Sequence, residues 1–89
     1  MRHELNNILG EELRFLAIRT RARLNLTQKE MGERLYMSES SYSDIETGRT
    51  HCGMLTVVLL LDMQENPKEF LQNAERKIAE WYAKEMQPV

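Results

Sequence analysis

The chain has 89 residues, 42% of them apolar and 29% charged, and a net charge of −2. That length makes one domain, residues 1–89, because a second hydrophobic core would not fit. The single cysteine, Cys52, excludes an internal disulfide and a cysteine-only zinc site and fits a reducing, cytoplasmic compartment. The opening stretch MRHELNNILGEELRF lacks the apolar core of a secretory signal. The longest strongly apolar run, Met54 to Leu61, has 8 residues, whereas a membrane span needs about 20. Two prolines and four glycines argue against disorder.

Charge is uneven along the chain. Residues 1–26 carry +2, residues 27–51 carry −2 and residues 52–89 carry −2, so there is no global basic footprint for nucleic acid. The positive excess sits in the first helical segment.

Every periodic segment repeats at 3.6 residues, and none alternates long enough for a strand. Leu13, Leu16, Ala17, Thr20 and Leu24 share one face, which predicts a helix over 11–24 that stops at Asn25, with Leu5, Ile8 and Leu9 as a further apolar anchor. Thr27 and Glu30 form a capping-box pattern for a helix over 28–35. Ser38 caps a helix over 39–46 that turns Tyr42 and Ile45 inward, and Gly48 supplies a left-handed stop. After a loop at 50–53, residues 54–63 form a helix apolar nearly all round, either central or shared with a second subunit. Asn66 and Pro67 open a last helix over 67–86 with Glu69 completing a box-like pattern, and Pro88 ends it. Five helices and no strands make an all-α domain.

Two short helices joined near Tyr36-Met37-Ser38 are what a helix-turn-helix requires. Gly32 stands where the second helix crosses the first, and Met31, Leu35, Met37, Tyr42 and Ile45 make the small shared core. Such a unit presents the first turns of its second helix as a ridge shaped for a major groove.

The motif over 27–49 resembles the lambda-repressor/Cro-like helix-turn-helix family, the xenobiotic-response-element type of bacterial transcriptional regulators. The residues that carry the resemblance are Leu26-Thr27-Gln28, Met31-Gly32, Leu35, Ser38 and Ile45-Glu46-Thr47-Gly48-Arg49. The resemblance implies a compact five-helix domain that binds double-stranded DNA in a sequence-specific way, as a repressor. It further implies that Glu39, Ser40, Ser43 and Asp44 meet base edges. Thr27, Gln28, Arg49 and His51, with arginines of the first helix, would hold phosphates, and Arg21 and Glu46 would form a structural ion pair. The sequence departs from the family pattern in three places, the first being a first helix about one turn longer than usual. Tyr36 stands where glycine is usual in the turn, and the helix 39–46 has no Lys or Arg and three carboxylates.

In the last helix Leu71, Ala74, Ile78, Trp81 and Glu85 fall close to a heptad seam. With Val57, Leu60 and Leu61 this stripe predicts a homodimer face at Val57, Leu60, Leu61, Leu71, Ile78 and Trp81. The alternative to a DNA-binding regulator is a protein-interaction module of the same fold, of antitoxin or anti-repressor type. His3, His51 and Cys52 match no zinc spacing. No nucleophile signature or Gly-rich phosphate loop is present. The reading is therefore not an enzyme, with no metal, no cofactor, no small-molecule ligand and no membrane partner.

Overall fold

The computed structural model describes residues 2–85, and these form five helices: α1 (Arg2–Arg23), α2 (Gln28–Arg34), α3 (Glu39–Glu46), α4 (Met54–Asp62) and α5 (Pro67–Glu85). The fold is all-α. The expected last residue of the final helix, Met86, and Pro88 lie outside the described residues.

The start of α2 follows from its capping chemistry. Thr27 Oγ1 accepts from the Glu30 N–H at 3.1 Å, and the Glu30 carboxylate accepts from the Thr27 N–H at 3.0 Å. The Thr27 main-chain N–H foremost, and then its hydroxyl, hold the Glu30 carboxyl below its ordinary range. Ser38 likewise caps α3, its Oγ accepting from the Ser41 N–H at 3.1 Å. At α5 the bond is main-chain only, from the Glu69 N–H to the Asn66 carbonyl, in place of the box expected there.

Three helices end in the same way. After α1, α2 and α3 the chain enters the left-handed region at Asn25 (φ 55°), Tyr36 (φ 58°) and Gly48 (φ 79°). Each time the next amide returns to the carbonyl five residues back: Leu26 to Arg21, Met37 to Gly32 and Arg49 to Asp44. These are Schellman motifs, which satisfy the last carbonyls of a helix. Asparagine and glycine tolerate the conformation; tyrosine does not, at about 1–2 kcal/mol. The α2–α3 turn therefore stores strain at a residue that is 81% exposed. Gly32 serves the same turn, since a Cβ there would stand 2.9 Å from the Met37 carbonyl oxygen and 3.1 Å from that of Ser38. The close approach comes from the turn's main chain rather than from α3 itself.

Leu16, Ala17, Met31, Leu35, Tyr42 and Leu60 form the buried core. Around it, Arg21 of α1 grips Glu46 at the end of α3 through one edge of its guanidinium, Nε to Oε2 at 2.6 Å and Nη2 to Oε1 at 3.1 Å. Gln28 Nε2 donates to the same carboxylate at 3.1 Å, and the Tyr42 hydroxyl donates to it as well. Arg14 Nη1 adds a bond to the Glu46 carbonyl at 2.9 Å. Burial alone would raise the Glu46 carboxyl, but the three side-chain donors and the Arg21 charge outweigh it and hold the carboxyl below its ordinary value. Burial, reinforced by the bond to Glu46, raises the Tyr42 hydroxyl in turn.

Two expectations are corrected by the way the long helices pack. The first helix begins at Arg2, well upstream of residue 11, and α5 lies antiparallel along it. Trp81 Nε1 donates to Glu4 at 2.9 Å, and Lys77 faces Glu12 at 3.7 Å. Trp81 is buried by this packing and Leu60 by the core, so neither is free for a second subunit. Nor is α4 central: only Thr56 and Leu60 are buried in it, while Met54, Leu55 and Val58 are exposed. The paired long helices draw the molecule out to 50 × 27 × 19 Å.

Replacing Glu46 by Ala should cost about 2–3 kcal/mol, between the values for exposed and buried pairs, because it leaves Arg21 and Tyr42 without their acceptor. For a domain this size that lowers Tm by on the order of 10–20 °C. Because the folded carboxyl titrates below its ordinary 4.5, its stabilisation is complete above that value. It is lost as pH falls through the folded value, and Glu46→Gln should flatten this acid limb in melts recorded from pH 3 to 6. Tyr36→Gly should act in the opposite sense and raise stability by about 0.5–1 kcal/mol in urea titrations, relief of the left-handed strain exceeding the added chain entropy.

Candidate nucleic-acid interface

The N-terminus of α2 and the outward side of α3 enclose one shallow groove. Its walls are Gln28, Glu39, Ser40, Ser43, Asp44 and Arg49. Of the eight residues anticipated at base edges and phosphates, six thus share one continuous surface.

Helical spacing puts Glu39, Ser40, Ser43 and Asp44 together, since positions i, i+1, i+4 and i+5 form a strip along one side of a helix. Tyr42 and Ile45 anchor the opposite side in the core. The Schellman turn after α3 brings Arg49 back over the helix end, where its guanidinium lies 3.6 Å from the Asp44 carboxylate and remains 77% exposed. The Asp44 carbonyl accepts from the Arg49 amide at 2.9 Å and from the Thr50 amide at 3.3 Å, which fixes this return. Gln28 reaches the groove from α2 with its amide nitrogen tied to Glu46, so its orientation is set before any ligand arrives.

The two remaining anticipated phosphate contacts lie elsewhere. The Thr27 hydroxyl is occupied as the helix cap. His51 belongs to a different depression, with Met37, Ser41, Thr50 and Thr56. Its ring packs on α1 so closely that a Cβ on Gly10 would come within 2.5 Å of Nδ1. The loop after α3 crosses α1 there, and that crossing carries the imidazole away from the groove.

Arginines of the first helix are likewise redirected. Arg14 is held by Glu46 and Glu11, Arg21 by Glu46 and the Leu26 carbonyl, and Arg23 by the Met63 carbonyl at 2.7 Å. Arg19 lines a small polar hollow with Gln64, Asn66 and Asn73. Arg14, Arg21 and Arg23 thus hold acceptors within the chain, while Arg2, Arg19 and Arg23 remain exposed. Sequence reasoning missed Arg14 as a partner of α3, yet a signal was present: Arg14 and Arg21 are seven residues apart, two helical turns on one stripe.

Charge in the groove is therefore sparse: two carboxylates, one guanidinium, two hydroxyls and a carboxamide. Such a set accepts hydrogen bonds more readily than it donates them. Among the described residues no group of three or more His, Cys, Asp or Glu side chains could hold a metal ion, and no helix is long and apolar enough to cross a membrane. Cys52 is half-buried, and burial raises its thiol, which suits packing better than reactivity.

A family model described as a helix-turn-helix domain covers residues 8–63, which takes in most of α1 together with α2, α3 and α4. No curated protein and no solved structure matches the chain. Domains of this kind place the second motif helix in a DNA major groove, so the match suggests DNA-binding regulation in general terms. With well over half of its length covered, and with α2 and α3 packed across the turn that such a motif requires, the chain belongs to the helix-turn-helix domain family.

Proposed function

We propose that the protein is a sequence-specific DNA-binding regulator, a repressor that occupies its operator in the cytoplasm, and not an enzyme. The observation that carries this reading is the single groove that gathers Gln28, Glu39, Ser40, Ser43, Asp44 and Arg49 along the outward side of α3. In it α3 enters the major groove, Glu39, Ser40, Ser43 and Asp44 meet base edges, and Arg49 and Gln28 contact phosphate. Arg49 is the one cationic side chain on that surface. The backbone contribution to affinity is accordingly small, and discrimination rests on the base edges.

The regulator acts as a homodimer in this reading, with a second copy over the exposed side of α4. Met54, Leu55 and Val58 are 84%, 61% and 58% exposed and lie within one turn of each other. A twofold contact sets a patch against itself. The stretch Met54 to Leu61 holds no charged residue, so two copies meet there without like-charge repulsion. Twofold symmetry then sets the two ridges one turn of DNA apart, about 34 Å, on a pseudo-palindromic site.

Selection from a pool of random duplexes at low ionic strength tests the binding reading. It should yield a consensus, and retention of no duplex would overturn it. On the selected site the log–log salt slope should be shallow, about −2 for the dimer, at about 0.9 for the one Arg49 contact of each protomer. Ser40→Ala and Asp44→Ala should alter sequence preference, whereas Arg49→Ala should weaken all sites alike and reduce the slope by about 1 per protomer. Light scattering at tens of micromolar should report a dimer, and Val58→Glu, at an exposed position, should give a folded monomer. A monomeric wild type would remove the dimer.

A further inference from the structure

We infer, on the strength of the DNA-binding reading above, that α3 selects its site through the exocyclic amino groups of cytosine and adenine, and that methylation of those nitrogens blocks binding. The helix Glu39–Glu46 contains no Lys, Arg, Asn or Gln, so none of its side chains is the customary donor to guanine O6 and N7 or the two-way partner of adenine. The long polar side chains its outward strip offers are the carboxylates of Glu39 and Asp44, with the short hydroxyls of Ser40 and Ser43 between them. A carboxylate only accepts. Set against guanine O6 or N7, or thymine O4, it meets another acceptor; set against cytosine N4 or adenine N6, it meets a donor.

Every base pair carries one such amino group in the major groove, on its cytosine or its adenine. A carboxylate that must face it therefore fixes which strand of the pair bears that base. Five residues separate Glu39 from Asp44, about 7.5 Å along a helix axis, or roughly two base steps at 3.4 Å each. The phosphates repel both carboxylates. Arg49, 3.6 Å from Asp44, offsets this at one end of the ridge, while Glu39 stands in the first turn of α3, where the helix dipole favours an anion. One hydrogen of each amino group is used in base pairing and the other points into the groove. A methyl on that nitrogen takes the outward place, because the inward hydrogen is needed for pairing, and so removes the donor. A methyl on cytosine C5 leaves both amino hydrogens in place.

The test uses the full-length protein and the duplex selected above, resynthesised with N6-methyladenine or N4-methylcytosine at the bases facing Glu39 and Asp44. Affinity should fall about 5- to 100-fold on the modified duplex, and C5-methylation should cost less. Glu39→Ala and Asp44→Ala should bind the unmodified site less selectively and lose the sensitivity at their own base pair while keeping it at the other. Unchanged affinity of the wild type for the amino-methylated duplex would overturn this inference and leave the DNA-binding reading standing. So would variants as sensitive as the wild type. Failure to bind any duplex at low ionic strength would instead remove that reading, and this inference with it.

Discussion

The carboxylate of Glu46 is the point at which this small domain is held together. Donors converge on it from three helices: Arg21 from α1, Gln28 from α2 and Tyr42 from α3 itself, while Arg14 takes the carbonyl of the same residue. The core beneath α2 and α3, mainly Met31, Leu35, Tyr42 and Ile45, is too small to set the crossing of two helices by packing alone. Directional bonds to one acceptor supply what packing lacks, and each is stronger for being partly shielded from water. A charge in such a position contributes little net stability over an apolar substitute. Its use here is geometric: it gives the outer ridge of α3 one position relative to α1.

That arrangement has an electrostatic consequence. Arg14 and Arg21 are both committed to Glu46, and Arg23 is committed to the Met63 carbonyl. Arg49 alone is left in the groove, paired loosely with Asp44. A surface so poor in cations binds unrelated DNA weakly. Phosphate contacts serve specific and non-specific binding alike, so their scarcity lowers both affinities and leaves the ratio between them to the base edges. An acidic ridge is thus compatible with discrimination at the expense of tightness.

Local chemistry was legible in the sequence, and long-range partnership was not. Thr27 with Glu30, Ser38, Asn25 and Gly48 mark helix boundaries through bonds to residues at most five positions away, and α2, α3 and α4 lie within a residue of where those signals put them. The extension of α1 to Arg2 is met by α5, a partner some seventy residues downstream. The seam of Leu71, Ala74, Ile78 and Trp81 was visible as a stripe. A stripe does not say what covers it, and for Trp81 the cover is α1 of the same chain. In the groove, helical periodicity sufficed for Glu39, Ser40, Ser43 and Asp44. It could not place His51, whose position follows from a loop crossing α1 at Gly10, nor the amide of Gln28, whose direction depends on Glu46.

The family match ends at Met63, before α5 begins, yet α5 bears on the ridge through α1. A free helix of 22 residues would fray and bend at its ends, and Arg14 and Arg21 both depend on the straightness of α1 to reach the end of α3. Antiparallel packing of α5 along it, pinned by Trp81 on Glu4 and Lys77 beside Glu12, stiffens the helix. Phe70 packs against the core at the other end of α5, so the brace is anchored at both ends. The added helix therefore supports α1, α1 holds Glu46, and Glu46 holds the ridge. That chain of contacts links Trp81 through α1 and Glu46 to the helix that bears Ser40 and Asp44.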